Sequence, residues 1–169
     1  MASALSLTRI IMVLRIGFLS LAPMGSFAQK DAPSSSFCTY NESTQTWKIG
    51  NAAVQRIVHF DAERGSLKTT EFTNAPGRAV IADLSASDAT IDIIDMDGKA
   101  KSLSLEKDWG FAWQVVGRPE HGGRTLTIHL QGSRANAGFE IEAMYEVWAK
   151  DSPMMTKTIT LINRKEKPV

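Results

Sequence analysis

Residues 138–169, GFEIEAMYEVWAKDSPMMTKTITLINRKEKPV, constrain the fold of this chain more than any other stretch. Phe139, Ile141, Ala143, Tyr145 and Val147 alternate with Glu140, Glu142, Met144, Glu146 and Trp148. A period of two puts the first set on one side of an extended strand and a largely acidic set on the other, so a long, half-buried β-strand is predicted. Lys150, Asp151, Ser152 and Pro153 carry turn chemistry, because proline fixes φ and cannot donate to a ladder. A Thr- and Ile-rich strand over 154–163 follows, and the simplest arrangement is an antiparallel pair facing one core. Each large apolar side chain buried there contributes roughly 1.5–3 kcal/mol. Residues 163–169 then read as a loop and the opening of a further strand, so a sandwich cut short at its C-terminal side is expected, as in a fragment of a longer product.

The same alternation recurs upstream. Strands are predicted over 52–60, 66–74, 78–83, 90–95, 99–105 and 125–130, separated by Gly, Pro, Asn and Asp. Gly65 ends a hairpin loop, and Asp97-Gly98 is the strongest local hairpin signal. Asp108, Trp109, Phe111 and Trp113 form an aromatic run leading into 114–116, and 131–137 reads as a turn. No window of ten residues beyond the N-terminal segment carries helical periodicity. The expected architecture is all-β, an antiparallel β-sandwich.

The N-terminal residues read differently. Arg9 and Arg15 supply a positive head, residues 16–22 a short apolar run, and Ser26-Phe27-Ala28 a small-x-small cleavage signal. The run is shorter than the roughly 20 residues that span a bilayer. A signal peptide over 1–28 is expected, with cleavage near Ala28, export to the periplasm or outside, and no stable membrane anchor afterwards. Losing Arg9 and Arg15 moves the formal charge from +1 to just below neutrality, so no nucleic-acid partner is indicated. Residues 29–45, Ser-rich with Pro33, read as a polar linker, and structure is expected over 46–169. Asn41-Glu42-Ser43 matches the N-glycosylation tripeptide. Cys38, the sole cysteine, has no internal disulfide partner and is expected to be a tolerated free thiol.

Three stretches together resemble the N-terminal β-domain of the α-galactosidases of glycoside hydrolase family 36. Trp47-Lys48-Ile49-Gly50-Asn51 is similar to the family's W-x-I-G-N opening. Gly65-Ser66-Leu67 with Phe72-Thr73-Asn74 is similar to its return strand. Tyr145-Glu146-Val147-Trp148 through Pro153, Lys157, Ile162-Asn163 and Pro168 resembles its Y-E-V-Y…P…K…I-x-N…P segment. The resemblance spans 47–169 and implies a galactose-mutarotase-like supersandwich placed ahead of a (β/α)8 barrel. In that family the catalytic carboxylates lie on the barrel, so no catalytic residue is carried over. The implied partners are galactose-containing glycans and a catalytic barrel in a longer parent, with glycoside hydrolase activity belonging to that parent.

Candidate sites follow from residue chemistry. Sugars stack on flat rings with a polar handle, so Trp109 and Trp113 are the candidate carbohydrate-binding residues, set against the alternative that such rings plug the core. Glu140, Glu142 and Glu146 share a strand face at a spacing any wet strand offers, and Asp92, Asp95 and Asp97 lean the same way, as solvated charges. His59, His121 and His129 lack a second ligand at fixed spacing, and no metal or cofactor is expected. His129 with a glutamate of 140–146 is the one acid–base pair available for a mutarotase-type reaction. The leading expectation is a non-catalytic sandwich supporting a barrel. The alternatives are a stand-alone carbohydrate-binding module and a mutarotase-type enzyme.

Overall fold

The computed structural model describes residues 9–12, 36–74, 79–82, 89–94, 98–120, 122–148 and 152–165, with backbone alone for 9–12 and 79–82. Two five-stranded antiparallel sheets face each other and a hairpin closes one end. The first sheet contains β1 (Arg9–Met12), β9 (Trp109–Gly117), β10 (Arg124–Gly132), β11 (Phe139–Val147) and β12 (Met155–Asn163), in the order β1-β12-β11-β10-β9. The second runs in chain order through β2 (Phe37–Asn41), β3 (Thr46–Gly50), β4 (Val54–Asp61), β5 (Ser66–Asn74) and β6 (Ala79–Ala82). The hairpin pairs β7 (Thr90–Ile94) with β8 (Ala100–Ser104). The all-β antiparallel sandwich expected from the alternation is the architecture found.

The predicted strand pair is its central wall. Phe139, Ile141, Ala143, Tyr145 and Val147 of β11 all point inward and are buried. Ile159 and Leu161 of β12 stand opposite Ala143 and Ile141, and Leu126, Ile128 and Leu130 of β10 extend the same inner face. Across the interior lie Trp47, Ile49, Val58, Phe60 and Leu67 of the second sheet, in one continuous cluster. Ile91, Ile93, Leu103 and Leu105 from the hairpin seal that cluster, held by Leu67 N–H to Leu105 O at 2.9 Å and Leu105 N–H to Ala89 O at 3.0 Å. Cations rim the interior: Arg56 and Lys157 flank the Tyr145 ring at 5.0 and 5.4 Å, where aliphatic stems cover apolar surface while charged heads stay wet.

The W-x-I-G-N residues are built into this packing. Trp47 and Ile49 are fully buried. A Cβ on Gly50 would approach Val54 O to 2.5 Å and Gln55 Cα to 2.9 Å. Asn51, 1% exposed, accepts the Ala53 and Val54 N–H groups at 2.8 and 2.9 Å and donates to the Trp148 and Ser152 carbonyls at 2.9 and 2.8 Å. It thereby latches the β3–β4 turn onto the connection between β11 and β12.

Gly65 makes a second tie between the sheets. Its φ of +66° is left-handed, and a Cβ there would run into the Trp109 backbone, 2.7 Å from its nitrogen. Trp109 N–H donates to Gly65 O at 3.1 Å. Gly65→Ala is expected to cost about 2–3 kcal/mol, since both the backbone conformation and the space are refused; a fall in the urea midpoint at unchanged slope measures it.

One boundary differs from expectation. Residues 37–41, expected within a linker, form β2, with Phe37 opposite Gly50 and Asn41 opposite Thr46. The physical reason is that Phe37, Cys38 and Tyr40 give this polar stretch enough apolar surface to close the open edge of β3: Tyr40 stacks on Trp47 at 5.0 Å. Residues 134–136, in the expected turn, form one 3-10 turn. Arg9, expected in the head of an export leader, opens β1 and pairs with Ile162; Arg15 and the Ser26–Ala28 cleavage signal lie outside the described residues, as do Asp95, Asp97, His121, Lys150, Asp151 and residues 166–169.

Cys38 sits on β2 against the core. Burial pushes its thiol up to about 11, opposed by the nearby Arg124 charge. The thiolate is the nucleophile, so slow alkylation at neutral pH is expected, accelerating once urea unfolds the chain. A group whose folded value is raised holds its proton more tightly in the folded state. Its contribution is therefore complete below the ordinary value of 9.0 and is lost as pH climbs toward 11. Stability should fall across that window, and a Cys38→Ser variant should lose that component of the decline.

Candidate functional site

Among the described residues, the candidate side chains meet on the outward side of the first sheet. Its geometry depends on a bulge in β9. His129 stands opposite Trp113 and Leu130 opposite Phe111, so Ala112 is left without a partner. One extra residue reverses the inward–outward parity of everything beyond it. Trp109 and Phe111, before the bulge, point into the core. Trp109 is 3% exposed and donates its indole N–H to Ser104 O at 2.8 Å, while Phe111 packs on Trp47 and Phe60. After the bulge Gln114 turns inward to accept the Trp47 indole N–H, and Trp113 turns outward. The two candidate tryptophans therefore occupy opposite faces and do not form one platform. Trp109 plugs the core; Trp113 is 42% exposed.

Trp113 lies parallel to the His129 imidazole, centroids 4.6 Å apart and planes within 9°. One face of the indole is thus covered and the other is left to solvent. His129 is itself buried at 7% and sits between two glutamates. Its Nε2 lies 3.3 Å from Glu140 Oε2 and its Nδ1 lies 3.7 Å from Glu142 Oε1. Glu140 also accepts from Arg164 Nη2 at 3.1 Å. Nδ1 has no hydrogen-bond partner among the described residues.

Strand register explains why these side chains converge. Glu142 stands opposite both His129 and Thr160, so Trp113, His129, Glu142 and Thr160 form one row across four strands. Glu140 faces Ile162 and Glu142 faces Thr160; Arg164, two residues past Ile162, is level with Gly138, to whose carbonyl its N–H donates at 2.8 Å, and its side chain reaches back to Glu140. Glu146, further along β11, pairs with Thr125 and Thr156 and takes no part in the cluster around His129. With strands about 4.8 Å apart, Trp113 and Glu142 are separated by about 10 Å at the backbone, the scale of two linked sugar rings.

The remaining candidates lie elsewhere. His59 belongs to β4 of the second sheet, 3.3 Å from Thr46 Oγ1. Asp92 is on β7 beside the Ser102 hydroxyl. Among the described residues no group of three His, Cys, Asp or Glu side chains is placed to hold a metal ion. Arg164 was not singled out by sequence reasoning; its offset from Ile162, once the β11–β12 register is known, is the signal that finds it.

The arrangement offers a flat indole face, a carboxylate about a third exposed, and an imidazole linking the two. No family model, curated protein or solved structure matches the chain.

Proposed function

We propose that this chain is a carbohydrate-binding β-sandwich that holds galactose-containing glycans on the outward side of its first sheet. In this reading it is the non-catalytic N-terminal portion of an exported α-galactosidase-like glycoside hydrolase, presenting substrate to a barrel in a longer parent. The observation that carries the proposal is the reversal at Ala112, which lifts one large aromatic ring out of an otherwise buried aromatic cluster. A ring as large as indole normally finds burial when it has no other task, and a pyranose stacks on such a face while its hydroxyls reach neighbouring acceptors. The resemblance of the W-x-I-G-N, return-strand and Y-E-V-W stretches to family 36 supplies the parent enzyme class.

Retention on an immobilised galactan tests the proposal. The wild-type domain is expected to be retarded and Trp113→Ala to elute in the void, with a melting temperature within about 2 °C of wild type because surface substitutions cost little. Equal elution of the two proteins would refute it. The 3.3 Å approach of His129 to Glu140 favours a second reading, a mutarotase-type enzyme in which an imidazole and a carboxylate exchange protons with a sugar. Anomerisation of galactose by the purified domain, abolished in His129→Ala, would establish that reading in place of simple binding.

A further inference from the structure

The contacts around His129 leave one deficiency that a ligand of particular chemistry would repair. With Nε2 turned to Glu140, an imidazole carrying a single proton places it on that nitrogen and presents a lone pair at Nδ1. Glu142 also offers only lone pairs. The two are 3.7 Å apart, beyond hydrogen-bond length, and the buried Nδ1 has no partner among the described residues. A sugar hydroxyl brings one proton and satisfies one acceptor. A primary ammonium brings three.

Charge selects in the same direction. Glu140 is neutralised by Arg164 at 3.1 Å. Glu142 faces only the imidazole in the ion pairs of the described residues and is about a third exposed, so its carboxylate is the side from which a ligand enters. An acidic sugar is repelled at this position, and a neutral one brings no charge to balance Glu142.

Resting on the carbohydrate-binding reading above, we infer that the face selects an amino sugar, its primary ammonium held by Glu142 and His129 Nδ1 while a linked pyranose lies on Trp113. The separation across β9, β10 and β11 matches a ligand of two or three units, so one amine-bearing residue and one stacked residue are engaged together.

Titration calorimetry with three trisaccharides tests this: oligogalactosamine, its fully N-acetylated counterpart, and galactotriose. N-acetylation keeps the rings but removes the charge and two N–H donors. The wild-type domain is expected to bind the free-amine form at least tenfold tighter than the other two. Glu142→Gln, which is isosteric, should bring all three within about twofold of one another, and raising salt from 50 to 500 mM should erase most of the wild-type preference. Trp113→Ala should lose all three. Equal binding of the three ligands by wild type, or tighter binding of the acetylated form, would overturn the amino-sugar inference and leave the carbohydrate-binding reading standing. Binding of none would overturn both. A preference that survives both Glu142→Gln and high salt would overturn the role given to Glu142.

Discussion

Trp47→Ala is expected to cost about 3–5 kcal/mol, the range for deleting a large buried aromatic, and so to remove most of the stability of a domain whose total is of order 5–15 kcal/mol. Three effects add at this position. The indole is fully buried at the middle of the cluster, so its loss leaves a cavity that the rigid β-sheets cannot close. Its ring supports Tyr40 at 5.0 Å and Phe111 at 5.8 Å, which links the β2 edge to the first sheet. Its N–H satisfies Gln114, the residue that the bulge turns inward. Trp47→Phe keeps most of the apolar volume but orphans the Gln114 amide, and a smaller loss of about 1–3 kcal/mol is expected. Urea unfolding followed by circular dichroism separates the two variants; a Trp47→Ala loss below about 1 kcal/mol would show that the cluster is not centred on this ring.

The second large effect is expected at Asn51. The side chain makes four hydrogen bonds to backbone groups on two separate connections, and it is nearly inaccessible to water. Asn51→Ala leaves two carbonyls and two N–H groups without their partner, at roughly 1 kcal/mol net for each bond and more where water cannot replace it. A loss of about 3–4 kcal/mol is expected, seen as a fall of about 10 °C or more in the melting temperature. Asn51→Asp is the informative companion. Aspartate still accepts from Ala53 and Val54 but cannot donate to Trp148 and Ser152, and it brings a charge against their carbonyl oxygens. It is expected to rescue none of the loss. Rescue by aspartate would mean that the bonds within the β3–β4 turn matter and those to the β11–β12 connection do not.

These two residues show how far the amino-acid pattern was legible. Period-two alternation over 139–147 identifies the wall of the core because one face of β11 is dry and the other wet, and a slip of one residue would reverse them. The W-x-I-G-N stretch is visible as a strand followed by a turn. What is invisible in it is the reach of Asn51, whose donors end on carbonyls about a hundred positions away in the chain.

The candidate site was legible as a set of residue types and not as a place. Strict alternation puts Trp109, Phe111 and Trp113 on one face. Only the unpaired Ala112 separates Trp113 from the others, and an alanine between two aromatics carries no signature of a bulge. The grouping of His129 with Glu140, Glu142 and Arg164 likewise depends on the registers of β10, β11 and β12, which are set by turn geometry and core packing together. Composition averages over a window and so places Cys38 and Tyr40 in a Ser-rich linker, whereas β2 needs only three apolar side chains to close an edge.

The central claim is that the outward indole of Trp113 is where a glycan binds. The chain has four tryptophans, and their indole N–H signals in a proton–nitrogen correlation spectrum report each one separately. On titration with galactotriose or its amino counterpart, the Trp113 signal is expected to shift progressively to saturation, while the signals of the buried Trp47 and Trp109 stay in place. A Trp113 signal that does not move at millimolar sugar, or a shift confined to Trp47 and Trp109, would contradict the account.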